Sequence, residues 1–424
     1  MEEDRSREEL EALIKRMFES GALNPEELAK VAGVGLNPQV LGQMFEQVKA
    51  MMADSKGPVN WELATKTALD LASKESKPAS DSFETELQKA FEMASLWLSQ
   101  STEFTNSNST KNLSRVIWVQ DAMPLFQELS EPVAASMAKA ITENLSAVIP
   151  EELAGMVGQA GKFLNNAGAA MFAMQLGQAI GKLSQSVLST SEIGIPLGIR
   201  PGFVLQNLED FMRDLEVAKS EMLIYLATRE LAISSLYASN KWLREQLIAQ
   251  VREFAAGLKV DTDSIQELAS QVDPADPSTF NLVIESGALI TPRTPEQEQA
   301  LVRIETLLAL IEGWADAVSF EAAKRLPSIT QLIEILRRRQ AVGASQKTFA
   351  TLMGLELRPR LQREAAAMWT IARQEVSAEA ADSLWKHPDQ LPTAEEIQDP
   401  SLLVARLSGS GDDLDGELRK LLDS

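Results

Sequence analysis

Glu230, Glu312 and Asp316 are the side chains around which chemistry can first be argued. Leu223, Leu226, Glu230, Ile233 and Tyr237 recur at alternating spacings of three and four, so on a helix they share one face. Glu230 is the acidic member of that apolar stripe, and a lone carboxylate there must be paired, protonated or near solvent. On periodicity alone, the plainer reading is a rim glutamate with an arginine partner. A second stripe, Ile304, Leu308, Ile311, Ala315 and Val318, has Glu312 and Asp316 one turn apart beside it. Carboxylates at i and i+4 can ligate one ion or accept from one guanidinium. A solvated acidic face is the simpler account of that pair.

The remaining inventory narrows the chemistry. The chain of 424 residues has no cysteine and a single histidine, His387. Thiolate nucleophiles, disulfides, iron–sulfur clusters and Cys-based zinc sites are excluded. One histidine cannot build a three-His or two-His-plus-Glu zinc site. A Ser–His–Asp triad would have to use His387, which reads more simply as a capping or packing imidazole beside Pro388. The net charge of −21 opposes a nucleic-acid partner, since a duplex would repel it. The acidic start MEEDRSREEL has no apolar leader, and no stretch is apolar enough to span a membrane, so a cytoplasmic chain is expected.

Helical periodicity dominates and strand-like alternation is scarce, so the fold is expected to be mainly α. Amphipathic patterns over 7–20 and 38–53 predict an N-terminal helical arm over 1–55. A large helical domain over 56–405 and an acidic flexible tail over 406–424 follow. GPVNW (57–61) reads as a turn feeding a helix at Trp61, and the polar stretch 101–114 as a surface loop. Helices are expected over 131–147, 151–189, 209–238, 240–258, from Pro295 to about Ala323, and from near Ser328 to Arg337–Arg339. Gly177 and Gly181 form a G-x-x-x-G flanked by Gln178 and Lys182, which points to close helix packing in a core rather than in a membrane. IGIPLGIRPGF (193–203) reads as an ordered irregular loop. No internal repeat is evident.

Several long segments carry a resemblance: GPVNWELA (57–64), GAAMFAMQLGQAIG (168–181), TPEQEQALVRIETLLALIEGWAD (294–316), TFATLMGLELRPR (348–360) and LWKHPDQLPTAEEIQDP (384–400). Together, over roughly 55–400, they resemble the zincin-like metallopeptidase type 2 family of zinc-dependent hydrolases, mostly from actinobacteria. The resemblance implies a multi-helix zincin-like domain. One branch of that family carries H-E-x-x-H, and another R-E-x-x-H with a second His shortly after. In such a motif two His at i and i+4 hold zinc while the Glu activates a bound water. The matching residues here are Arg229, Glu230 and Ile233, with Ser239 where the later His stands and Lys241-Trp242-Leu243-Arg244 beyond. Glu230 thus keeps the general-base position. The family's L-E-G-x-x-D segment survives as Ile311-Glu312-Gly313-Trp314-Ala315-Asp316, which makes Glu312 and Asp316 the candidate metal carboxylates.

Neither Ile nor an always-protonated Arg can ligate a metal. The expectation is therefore a family member without its zinc, needing no cofactor and binding a protein or peptide partner of unknown identity. The alternative is an active metal-dependent hydrolase using carboxylate ligands, which suit Mg, Ca or Mn better than zinc. If the helices pack as the resemblance implies, Glu230, Glu312 and Asp316 converge on a partly buried cleft, where an arginine, Arg229 first and Arg244 second, would bridge two of them.

Overall fold

The computed structural model describes residues 57–105, 109–148, 154–198, 200–257, 293–342 and 361–409. The arm expected over 1–55, the segment TFATLMGLELRPR and all of the tail beyond 409 lie outside them.

Asn60 closes the GPVN turn and caps α1 (Trp61–Ser73), its side chain accepting from the Leu63 amide at 3.1 Å. Ala64, Ala68 and Ala72 recur every fourth residue and form a buried ridge of small side chains on α1. That ridge lies on α4 (Ala154–Ser184). A Cβ on Gly177 would stand 2.5 Å from the Ala64 carbonyl oxygen, and one on Gly181 would stand 2.6 Å from the Leu71 Cβ. The glycine pair is therefore a close-packing surface in a core, as its spacing predicts.

Between these helices run α2 (Asp81–Leu98), β1 (Lys111–Leu113) and α3 (Arg115–Val148). The stretch expected as a polar surface loop thus contains a strand, and its first residues, Ser101 and Thr102, are buried. Helix α3 also begins well before 131 and continues through Pro124 and Pro132. After α4 a loop leads to β2 (Gly202–Val204), which pairs parallel to β1 with Lys111 opposite Gly202 and Leu113 opposite Val204. Its other edge takes an antiparallel bridge from Ser189 to Phe203.

The run expected as one helix over 209–238 divides into α5 (Leu205–Met212) and α6 (Lys219–Ser239). Then come α7 (Trp242–Ala256), α8 (Pro295–Ala323), α9 (Ile329–Val342), α10 (Gln362–Glu375), α11 (Ala378–Ser383) and α12 (Ala394–Gln398). A further helix covers 400–409, where Arg406 reaches back to Glu396 at 2.7 Å, so ordered packing passes the expected boundary at 405.

Thr294 and Gln297 form a reciprocal capping box at the start of α8, with Pro295 in its first turn. Helices α6 and α8 are the centre of the molecule. Side chains from Leu307 to Ser319 are buried in unbroken succession on α8, and α6 is nearly as enclosed from Met222 to Leu236. A helix apolar on one stripe can sit at a surface, but these two carry small, apolar and charged residues into contact on all sides. They pack on each other, with α2 against α6 and α7 and α10 against α8. No described helix is long and apolar enough to cross a membrane.

Candidate functional site

Arg229 and Glu230 are consecutive on α6, so their side chains leave the helix about 100° apart and meet different neighbours. Arg229 faces α8. Its Nη2 donates to Glu312, and its Nε donates to Asp316 Oδ1 at 3.2 Å. Glu312 and Asp316 lie one turn apart on α8, which is the spacing that lets a single guanidinium reach both. Asp316 also accepts from Gln362 Nε2 at 3.2 Å and has Arg337 Nη2 at 3.7 Å. Arg229, Glu312 and Asp316 are all buried, which corrects the expectation of a solvated acidic face on α8. Burial alone would lower the Arg229 pKa, but the facing charges of Glu312 and Asp316 reverse this and hold it above its usual value.

Glu230 turns instead toward the segment after α4 and toward β2. The Thr190 hydroxyl donates to Oε1 and the Ser191 hydroxyl to Oε2, while the Gly202 amide approaches Oε1 at 3.4 Å. Only 3% of the residue is exposed, so it is not at the rim, and its partners among the described residues are these hydroxyls and the amide. Desolvation raises its pKa, against the lowering effect of hydrogen bonds from Ser191, Thr190, Ser189 and the Gly202 amide. The expectation from periodicity failed because the compensating groups are neutral and come from a distant loop. Ser189, Thr190 and Ser191 form a run of hydroxyls just before the Gly/Pro-rich loop, and that run is the signal that could have found them.

A cleft of about 410 Å³, including its solvent-filled mouth, borders both groups. Arg229, Glu230, Glu312 and Glu192 line it together with Leu226 and Arg339. The space within it is narrow, with room for a water or two. Beside it, the Tyr237 hydroxyl donates to the Gly194 carbonyl at 2.8 Å, where Gly194 has a φ of +88° that suits glycine. Burial drives the phenols of Tyr225 and Tyr237 far above their ordinary pKa, so both stay neutral donors.

The other residues singled out from sequence do not join this cluster. Ile233, one turn beyond Arg229, is buried in apolar core, and Ser239 is exposed at the last residue of α6. Arg244 pairs with Glu128 at 2.5 Å rather than with the cleft carboxylates. His387 is exposed, and its Nδ1 accepts from the Asp389 amide at 3.2 Å, capping the short 3₁₀ turn Pro388–Gln390. Gln362 and Arg337 complete the surroundings of Asp316 and were not legible in the sequence as site residues.

This donor set does not fit zinc. Arg229 and Ile233 offer no lone pair, and the guanidinium occupies the side of Glu312 and Asp316 that faces α6. Among the described residues no group of three or more His, Cys, Asp or Glu is placed to hold a metal ion.

Two comparisons with known proteins agree with the fold. The chain is similar to a solved protein of Chloroflexus aurantiacus described as "a putative hydrolase with a novel fold". The TM-score is 0.57 at 19% identity, covering 82% of this chain and 99% of the other. No curated protein gives a match. The sequence profile of the zincin-like metallopeptidases matches residues 59–404, well over half of the chain. The chain belongs to the zincin-like metallopeptidase family.

Proposed function

We propose that this family member has exchanged its metal for a guanidinium and acts by binding a protein or peptide rather than by hydrolysis. The observation that carries the reading is Arg229 bound to both Glu312 and Asp316. Arg229 stands at the first position of the H-E-x-x-H pattern, and Ile233 at the second. A fixed positive charge between the α8 carboxylates supplies the electrostatic balance that a cation would supply. It cannot supply the ligand exchange that generates a metal-bound hydroxide.

Glu230 supports the same reading. A general base needs an oxygen facing its water. Here both carboxylate oxygens accept from side-chain hydroxyls. The competing reading, a hydrolase with an oxygen-ligated metal, draws on Glu230 remaining at the general-base position and on the hydrolase description of the structural neighbour. Elemental analysis of protein purified without a His-tag, before and after dialysis with Zn or Mn, separates the two. The binding reading expects well under one metal per chain and no chelator-sensitive peptidase activity. One tightly held metal per chain, lost in Glu312→Gln, would establish the hydrolase reading instead.

A further inference from the structure

Trp61, Thr65 and Leu69 stand on successive turns of α1 and are half-buried, while Glu62, Lys66 and Asp70 are exposed beside them. These six side chains line an open groove along the helix. It runs beside the Ala64–Ala68–Ala72 ridge, which is taken up by packing on α4. Glu62 and Lys66 have the i,i+4 spacing of an ion pair, yet neither they nor Asp70 are in one among the described residues. A half-exposed Trp or Leu is ordinary by itself. Here two of them share one strip, flanked by charges with no partner.

The chain enters α1 at the Trp61 end through a fixed turn. Val59 is buried, the Asn60 amide donates to the Ala169 carbonyl at 3.4 Å, and Pro58 bars a helix from running straight through. Whatever precedes Gly57 therefore starts beside Trp61 and must change direction. Asn37 and Pro38 have the order of an N-cap and a first helical residue. Leu41, Met44, Phe45, Val48, Met51 and Met52 then follow at spacings that put all six on one helical face. A helix of that length is marginal in water unless its apolar face is covered. The connector 54–60 is within the roughly two to eight residues that join antiparallel helices. A helix folded back over it brings Met52, Val48 and Met44 along Trp61, Thr65 and Leu69, in that order. Charge selects the same segment. Glu46 and Lys49 are the charged residues of 38–53, and they balance. The stretch 410–424, with Asp412, Asp413, Asp415 and Glu417, would meet Glu62 and Asp70 with like charge.

We propose that residues 38–53 form an amphipathic helix that packs antiparallel in the Trp61–Thr65–Leu69 groove of its own chain, closing a helical hairpin with α1. This part of the arm then belongs to the body of the domain. Its apolar face is covered in cis and is not a docking motif offered to other proteins.

The chain has no cysteine, so introduced pairs report contacts cleanly in the full-length protein. Under mild oxidation, Val48→Cys with Thr65→Cys should form a disulfide within one chain. The pair Ala50→Cys with Thr65→Cys should react about tenfold or more slowly, since residue 50 stands about 200° around the helix from 48. Native-state hydrogen exchange should show the amides of 41–53 protected about tenfold or more over an unstructured chain. Leu69→Asp should remove that protection while α6 and α8 keep theirs. Equal cross-linking at 48 and 50, or unprotected amides in the native chain, overturns the helix. Protection that survives Leu69→Asp overturns the groove as its seat. Disulfides that join two chains assign the segment to a second copy and overturn the contact in cis. Should Leu69→Asp lose its native circular dichroism, Thr65→Asp takes its place with the same expectation.

Discussion

One turn of α8, Glu312-Gly313-Trp314-Ala315-Asp316, serves two polar clusters on opposite sides of the helix, and they are built on different plans. On one side the Trp314 indole donates to Asp382 Oδ1 at 2.8 Å, where Arg373 also donates at 2.6 Å. The Thr102 hydroxyl meets the other oxygen at 2.7 Å, and Arg373 reaches the Ser101 carbonyl as well. Phe104 meets the Trp314 ring at a tilt, Trp385 meets it edge-on and stacks on Trp369, and Gly313 lets α10 approach so closely that a Cβ would be 2.7 Å from the Ala366 nitrogen. One carboxylate meets one guanidinium and two neutral donors, and none of these residues lines the cleft. On the other side Arg229 is shared by two carboxylates, a second arginine stands at 3.7 Å, and a cleft adjoins. Burial is equal on both sides. What separates an anchor from a candidate site is the larger number of buried charges and the neighbouring space.

That contrast is broken or sharpened most strongly at Arg229. Arg229→Met should destabilise the chain by about 3–5 kcal/mol, because two buried carboxylates lose their shared cation. Adding Glu312→Gln should return part of the loss, with a coupling energy of roughly 0.5–3 kcal/mol by double-mutant cycle in urea. Additive effects would show that the guanidinium and Glu312 are energetically independent, and the metal-replacement idea would then fail. The anchor should respond less. Asp382→Asn keeps an acceptor for Trp314 or Thr102 but weakens the Arg373 contact, for an expected loss of about 1–3 kcal/mol. It should leave any binding at the cleft unchanged, since no residue of that cluster lines it. A cleft-binding defect in Asp382→Asn would mean that the two sides of α8 are not separate.

The two clusters were unequally visible in the sequence. The i,i+4 pair of carboxylates on a long capped helix was legible because helical spacing fixes which side chains of one helix can meet, whereas an arginine to join them followed only from the packing that the family resemblance implies. The start and end of α8 follow from Thr294, Pro295 and the apolar period. The glycine contacts of α4 follow from Gly177 and Gly181. Partners that arrive from far along the chain were not legible. Thr190 and Ser191 lie some forty residues from Glu230, and Asp382 is brought to Trp314 across a separation of 68. Nothing local in Ser101 or Thr102 distinguishes a buried hydrogen-bonding pair from a polar loop. Burial itself was misjudged for Glu230, Glu312 and Asp316, because periodicity reports one face and α6 and α8 are covered on all faces.

The smallest expected effect is at Glu230, and its sign is the informative part. Desolvation, only partly offset by Ser191, Thr190, Ser189 and the Gly202 amide, raises its pKa in the folded chain above the ordinary 4.5. Between those two values the folded state holds a proton that the unfolded state has released. Stability therefore falls as pH rises through that window, and the loss is complete above the folded pKa. Glu230→Gln removes the titration but keeps the shape and one accepting oxygen, and the Thr190 and Ser191 hydroxyls can rotate to accept from the new amide. Above the folded pKa the variant should be as stable as the native chain or more so, and its stability should no longer decline as pH rises beyond 4.5. Chemical denaturation at a series of pH values measures both features. A variant clearly weaker at neutral pH, with the decline still present, would mean that the charged carboxylate is what the three hydroxyls are built to hold. Glu230 would then be an ionised base kept ready beside the cleft, and the balance would move toward the hydrolase reading.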